Sequence, residues 1–414
     1  MQRVTGAMTA ATVSGSRFSQ LTEGIPRPFW ALLFGTFITK MGSFVMPLLF
    51  VYLTQARELP LPLAGAVTSL FGLGSLIGSF LGGVLADRLG RRFTMLASLM
   101  VGAAFLLVLG MSVEVWQLAI ATFLMGLTGD AYRPASQALV ADIVPRQHQM
   151  KAFGLQYWAI NLGFTFASVI GGFMAKRNFG ALFIGDAVTT LILAFIIWRA
   201  IPESRPEPST DPQKPPPAGN ALTPFTDARY APFLVLNFLV ALLFFQHLSS
   251  LPEDMRLKGL STEEFGLSIA ANGLLIVLFQ PLATKWAQGY SKARILALAA
   301  GLTGLGFGLT TFATSLPTYA FTVAVWTWGE ILFSPVNASI VATLSPTHLR
   351  GRYQGAFTIT WSLAAMLAPL LGSSLIPLIG HRALWLGCFA IGLMVALGHL
   401  TFSARALPKE ALSE

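Results

Sequence analysis

Charged residues are scarce in this chain. Asp, Glu, Lys and Arg make up 11% of 414 residues, where a soluble domain averages about 25%. Acidic residues are the rarer kind, 18 against 27 Lys and Arg. A chain so poor in charge cannot clothe a large surface in water. Its single cysteine, Cys388, lies in an apolar run, so no intrachain disulfide can form. The sequence has no helical spacing of zinc ligands, no nucleophile elbow and no Walker-type phosphate loop. A metal hydrolase, a serine hydrolase and a motor fuelled directly by ATP therefore have no footing in it. The first 27 residues lack a compact apolar core ending at a small-residue cleavage site, and read as a loose tail rather than a signal peptide.

Apolar residues are abundant instead, 54% of the chain, with a mean hydropathy of +0.66. They gather in twelve runs: Phe29–Leu53, Ala64–Ala86, Phe93–Met111, Trp116–Val140, Phe153–Ala175, Ala181–Trp198, Pro232–Leu251, Phe265–Trp286, Ile295–Ala313, Thr318–Leu344, Tyr353–Ile379 and Leu384–Phe402. About 20 residues cross a bilayer as a helix. Backbone amides cannot go unpaired in hydrocarbon, so the runs are helices. The sequence predicts an all-α membrane protein of twelve transmembrane helices. A net charge of +9 suggests nucleic acid at first sight, but its distribution argues against that partner. Most Lys and Arg fall in loops on the side of the Gly83–Arg92 hairpin. That bias places this side, and both termini, in the cytoplasm.

The chain divides into a tail (1–27), a six-helix half (28–200), a linker (201–228), a second six-helix half (229–403) and a short tail (404–414). The linker is rich in proline and charge, too poor in apolar side chains to fold alone. The halves repeat. Gly65 and Gly266, Gly72 and Gly273, Pro134 and Pro335, Pro145 and Pro346, Gly154 and Gly355, and Gly171 and Gly372 all stand 201 residues apart. A constant offset across five helices predicts two pseudo-symmetric bundles related about the membrane normal.

The second and third runs are joined by Gly83-Val84-Leu85-Ala86-Asp87-Arg88-Leu89-Gly90-Arg91-Arg92. Gly83, Asp87, Arg88, Gly90, Arg91 and Arg92 fill every position of a pattern that resembles the signature of the major facilitator superfamily. The resemblance implies that family's fold and alternating access to a central cavity. It implies that helices 1, 4, 7 and 10 line the cavity, that Asp87 faces the start of helix 11 near Tyr353, and that the loop's basic residues reach Asp142. Such bonds would lock the cytoplasmic side closed. Trp326-Thr327-Trp328-Gly329-Glu330, followed by Pro335, is similar to helix 10 of bacterial multidrug carriers, and Gly42-Ser43-Phe44-Val45-Met46-Pro47-Leu48 is similar to their helix 1. Two places depart from that branch. Thr122 stands where drug antiporters carry an Arg, and Ala167-Ser168-Val169-Ile170-Gly171-Gly172 lacks their Gly-Pro.

Ionisable groups at mid-membrane cost about 2.5–3.5 kcal/mol each on insertion scales, so each needs a reason. Lys40 stands roughly 18 Å into the first helix at 1.5 Å per residue. It reads either as a fixed counter-ion or as a substrate contact, with Asp130 or Glu330 as its anion. Asp130 and Arg133 lie three apart on one helical face and read either as an internal ion pair or as cavity charges. Glu330 has no partner at helical spacing in its own run. A carboxyl without a fixed counter-charge can exchange a proton, which a proton-coupled carrier requires; the bland alternative is a hydrogen bond to a neighbouring helix. Gln246, His247, Tyr157, Asn161 and Asn272 are further polar residues in apolar runs, and Trp361 an aromatic one. Most such polar residues join helices; a minority touch substrate.

The expected function is proton-coupled export of amphipathic small molecules from a bacterial inner membrane, by a monomer that needs no cofactor beyond the proton gradient. Glu330 and Asp130 would couple protons. Lys40, Arg133, His247, Gln246, Tyr157, Asn161, Asn272 and Trp361 would line the cavity. Two alternatives stand beside it: proton-driven uptake of a peptide or anionic nutrient, and a sensor or scaffold that keeps the fold without turnover.

Overall fold

The computed structural model describes residues 24–203, 222–287, 289–346 and 349–403, and contains helices and no strand among them. Most of the expected tails and linker, namely 1–23, 204–221 and 404–414, lies outside the described residues. In chain order the helices are α1 (Arg27–Met41, resumed at Val45–Val51), α2 (Leu61–Leu89), α3 (Arg91–Met111), α4 (Val115–Ile143), α5 (Arg146–Arg177) and α6 (Phe179–Ala200). The second half holds α7 (Ala231–Phe244, resumed at Ser250–Leu257), α8 (Thr262–Ala287), α9 (Lys292–Leu309) and α10 (Leu316–Leu344). Last comes Arg350–Gly398, which Gly380 divides into α11 and α12 by leaving helical geometry at φ 76° and ψ 163°. The left-handed φ explains glycine there. Nine of the described helical stretches are long and apolar enough to cross a membrane as they stand. The division at Gly380, together with α4 and α10, which carry Asp130, Arg133 and Glu330, completes twelve crossings.

The repeat seen in sequence has a physical use. A Cβ on Gly65 would stand 2.7 Å from the Pro369 carbonyl and 1.8 Å from the Ser373 hydroxyl. Its counterpart Gly266 would meet the Ser168 carbonyl at 2.3 Å and Gly172 at 3.2 Å. Gly72 lies against Met366, and Gly273 against Thr165 and Asn161. Thus α2 packs on α11 as α8 packs on α5, through equivalent residues. Glycine lets the backbones approach so closely. These contacts, with the Lys176–Glu263 ion pair at 2.9 Å and the Thr262–Gln55 hydrogen bond at 3.3 Å, join the halves at the end away from the Gly83–Arg92 loop. A Cβ at Gly83, Gly154 or Gly355 would have nothing within 4 Å.

The first helix of each half is broken. α1 stops at Met41 and resumes at Val45, with Gly42 pressed against Thr189 of α6. α7 passes through a tight turn at Phe245–Leu248, then continues from Ser250 to Leu257. The seventh crossing therefore runs past Leu251, where the sequence pattern ended it. Pro252 did not end the helix because it sits in the first turn of the new segment, where a missing N–H costs nothing. The extension buries Glu253 and Asp254, paired with Arg256 at 2.7 Å and Lys258 at 3.1 Å.

Candidate functional site

In the first half, four charges converge. Lys40 is partly buried near the break in α1, and the charges that act on it are Arg133, Asp130 and Asp186. Asp130 pairs with Arg133 at 3.6 Å and accepts a hydrogen bond from Ser75 of α2. The Arg133 side chain is 63% exposed, against 18% for Asp130, so the pair presents its cation outward and keeps its anion within the bundle. Asp186 is 5% exposed. Its carboxylate accepts the Val45 amide at 3.2 Å and receives the Phe44 amide as well. It thus caps the resumed part of α1 from another helix, since Phe44 at the cap position offers no side-chain acceptor. Thr39 donates to the Thr189 carbonyl at 3.2 Å, so α6 grips both sides of the break.

In the second half, Glu330 is not the lone carboxyl that its own helix suggests. Asn272 of α8 donates to it at 2.7 Å and to Thr327 at 3.0 Å. An amide can donate to a carboxylate or to the carbonyl of a protonated acid. Among the described residues no cation fixes Glu330 in either form. Tyr157, from α5 of the other half, faces Glu330 and Ser334. Glu330 therefore lies at the seam between the halves. Asn161 is turned back on its own helix, donating to the Tyr157 carbonyl at 2.9 Å.

His247 sits in the turn that breaks α7, its ring stacked 5.9 Å from Trp326 and its Nδ1 against the Phe244 carbonyl. Gln246 donates to the Ala368 carbonyl at 3.3 Å and accepts from Ser250 at 2.6 Å, tying α7 to α11. Trp361 stacks on Phe244, ring centroids 6.0 Å apart, and its indole N–H has no protein acceptor among the described residues. Gln246 and Asn161 thus serve packing here. Glu330, Asn272 and Tyr157 form one polar group across the seam, while His247 and Trp361 belong to an aromatic group with Trp326 and Phe244.

At the loop end, Arg91 is buried and reaches Asp142 at 3.1 Å, Asp87 at 3.2 Å and the Ala86 carbonyl at 2.9 Å. Gly90 turns the chain at φ 105°. Arg88 is exposed, and Arg92 donates to the Trp198 carbonyl. Asp87 does not meet α11 among the described residues. Its side chain is 69% exposed and paired with Arg91, and the start of α11 is held by Asp227, which accepts the Tyr353 phenol at 2.6 Å.

The family model of the Major Facilitator Superfamily matches residues 32–256 and 233–413. The chain belongs to the major facilitator superfamily. It is 28% identical over 393 residues to the MFS-type transporter YttB of Bacillus subtilis, covering 92% of this chain and 96% of that one. A Na(+), Li(+), K(+)/H(+) antiporter of Planococcus maritimus is 25% identical over 361 residues, 79% of this chain and 84% of the relative. The quinolone resistance protein NorA of Staphylococcus aureus is 31% identical, but over 36% of this chain and 39% of its own. Among solved structures, a POT family transporter superposes with a TM-score of 0.81 at 17% identity, over 94% of this chain and all of that one, and the nucleoside transporter NupG with 0.77 at 12%, over 91% of this chain and all of NupG. This is a multi-pass membrane protein and a secondary transporter of the superfamily, not an enzyme.

Two residues of this superfamily member escaped the sequence reading. Asp186 stands near one end of its apolar run, so it reads as a rim residue; its role requires Val45, 141 residues away. Glu203 opens the proline-rich stretch, yet its carboxylate takes the Arg92 and Phe93 amides at 3.0 Å each and caps α3. An acid at the end of a crossing beside a loop of bare helix N–H groups is the signal that could have found it.

Proposed function

We propose that this transporter exports amphipathic small molecules in exchange for protons, with Glu330 as the group that binds proton and cargo in turn. The observation that carries the reading is Glu330 at the seam, hydrogen-bonded to Asn272 at 2.7 Å, without a fixed counter-charge among the described residues, and faced by Tyr157 from the opposite half. A proton lost there leaves an anion that attracts a cationic, partly apolar cargo against Tyr157, His247 and Trp361. A proton regained dismisses it. Asp130, Lys40, Arg133 and Asp186 form a net-neutral second cluster that shapes the other wall.

In the same reading the Gly83–Arg92 loop faces the cytoplasm with both termini, in the inner membrane of a bacterium, and the protein works as a monomer. The conformation is then closed outside and open inside, and residues 28–200 and 229–403 are the rocking units, joined by linker 201–228. Asp87, released from α11, is the half of the inner lock that re-engages on closing, with Arg91 and Asp142 holding the loop in shape.

Everted vesicles acidified inside test this. Wild type should accumulate ethidium and Glu330→Gln, present in equal amount, should not; equal accumulation by both refutes the assignment. A second reading, exchange of monovalent cations for protons, is favoured by the antiporter from Planococcus maritimus. It predicts sodium- or potassium-dependent proton efflux from the same vesicles without ethidium.

A further inference from the structure

On the outer face of the second half, α8, α9 and α10 part to leave a groove of about 490 Å³. Phe279, Leu282, Trp286, Leu302, Trp328 and Leu332 line it, with two smaller apolar residues and no polar side chain. Leu282 is 64% exposed and Trp286 47%. The groove runs from mid-membrane, at Leu302 and Trp328, toward the loop end of α8. Its length along α8 from Phe279 to Trp286 is about 10 Å. A slot of this shape, walled by hydrocarbon at bilayer depth, accepts an acyl chain.

What lies at its foot selects the headgroup. Lys285 precedes Trp286 and is exposed. On α9, Arg294, Leu298 and Leu302 follow one another at four-residue spacing, so Arg294 stands below the groove on the stripe that lines it. Lys292 opens the same helix. No acid occurs from Phe279 to Leu309, nor from Ile331 to Pro346. No carboxylate pairs with Lys285, Lys292 or Arg294 among the described residues; the six ion pairs found there all lie elsewhere. Tyr290 packs on Trp286 with centroids 4.7 Å apart, an aromatic pair of the kind that sits at headgroup level. Three cations with no carboxylate partner among the described residues, below an apolar slot, match an anion that carries a hydrocarbon tail.

We propose that this groove is a binding site for an anionic phospholipid of the adjoining leaflet, its chain between α8, α9 and α10 and its phosphate on Lys285, Lys292 and Arg294. The groove shares no lining residue with the proposed cargo site around Glu330 and does not depend on the cargo. Surface attraction of anionic lipid is worth roughly a fivefold preference per basic residue.

The test uses the full chain in nanodiscs of phosphatidylcholine, doped at equal mole fraction with brominated phosphatidylglycerol or brominated phosphatidylcholine. Bromine quenches nearby tryptophan, and the part of the signal lost in a Trp286→Phe/Trp328→Phe variant belongs to the groove. That part should be quenched more strongly by phosphatidylglycerol. The combined Lys285→Gln, Lys292→Gln and Arg294→Gln variant should erase the difference while leaving quenching by phosphatidylcholine as it was. These three residues lie on the surface, so the variant keeps its fold, which its circular dichroism checks. Equal quenching by the two lipids in wild type overturns the proposal, as does a preference that survives the triple substitution.

Discussion

Adding one carbon to Gly266 should push this transporter out of the conformation described above. A Cβ there would stand 2.3 Å from the Ser168 carbonyl, and one on Gly72 would stand 2.4 Å from the Met366 amide nitrogen. Both obstacles are backbone and cannot swing aside. Ordinary contact begins at 3.4 Å, so α8 must retreat from α5, or α2 from α11, by about 1 Å. Overpacking of this kind costs about 1–3 kcal/mol. The cost falls only on the state in which these helices touch, so the balance between conformations shifts by roughly 5- to 150-fold toward opening at the end away from the Gly83 loop. Gly154→Ala and Gly355→Ala are the controls, because a Cβ at either meets nothing within 4 Å. Spin labels at Val113 and Thr314, exposed in the loops of the closed end, report the distance by pulsed electron resonance after Cys388 is replaced. Gly266→Ala and Gly72→Ala should populate longer distances, and the controls should match wild type. Unchanged distances in both glycine variants, or equal shifts in the controls, would refute the argument that close backbone contact holds this end shut.

Three further outcomes follow from the contacts. Asp186→Ala strips the cap from Val45–Val51 and should destabilise the purified protein by about 1–3 kcal/mol, read as a lower melting temperature; Asp186→Asn, which still accepts an amide, should recover most of that loss if capping is the main role. Asn272→Leu removes the donor to Glu330 and should change the pH at which transport is half-maximal, whereas a purely structural Asn272 would lower the rate without moving that pH. Asp227 is pulled up by burial, but the Tyr353 phenol, the Arg229 and Tyr230 amides and the Arg229 charge together outweigh this and hold its carboxyl below the ordinary range. A depressed carboxyl stabilises the fold above its unfolded pKa and ceases to do so as pH falls through its folded value. Asp227→Asn should therefore lose on the order of 1 kcal/mol near neutrality and match wild type at strongly acid pH, in paired thermal melts.

How much the sequence revealed depended on how local the physics was. Twelve apolar runs and the 201-residue offset predicted the fold, because bilayer thickness and backbone pairing leave few other solutions. The offset glycines mark the inter-half contacts, since only a residue without Cβ fits at Gly65 and Gly266. The breaks in α1 and α7 were not legible. Each is held by partners from another helix, Asp186 and Thr189 for the first, Ala368 through Gln246 for the second. Glu330 read as solitary because its partner, Asn272, is 58 residues away. The Asp87–α11 contact implied by the motif is absent among the described residues, where Asp87 pairs with Arg91 instead, a partner that the motif leaves equally open.

The account rests on one proton and one cargo competing for Glu330. The most direct measurement is proton release on binding, followed with a pH-sensitive dye while ethidium is added to purified protein in weakly buffered solution. Wild type should release protons in proportion to ethidium bound, and Glu330→Gln should bind with no release. Equal release from both proteins would contradict the claim and move the coupling site elsewhere.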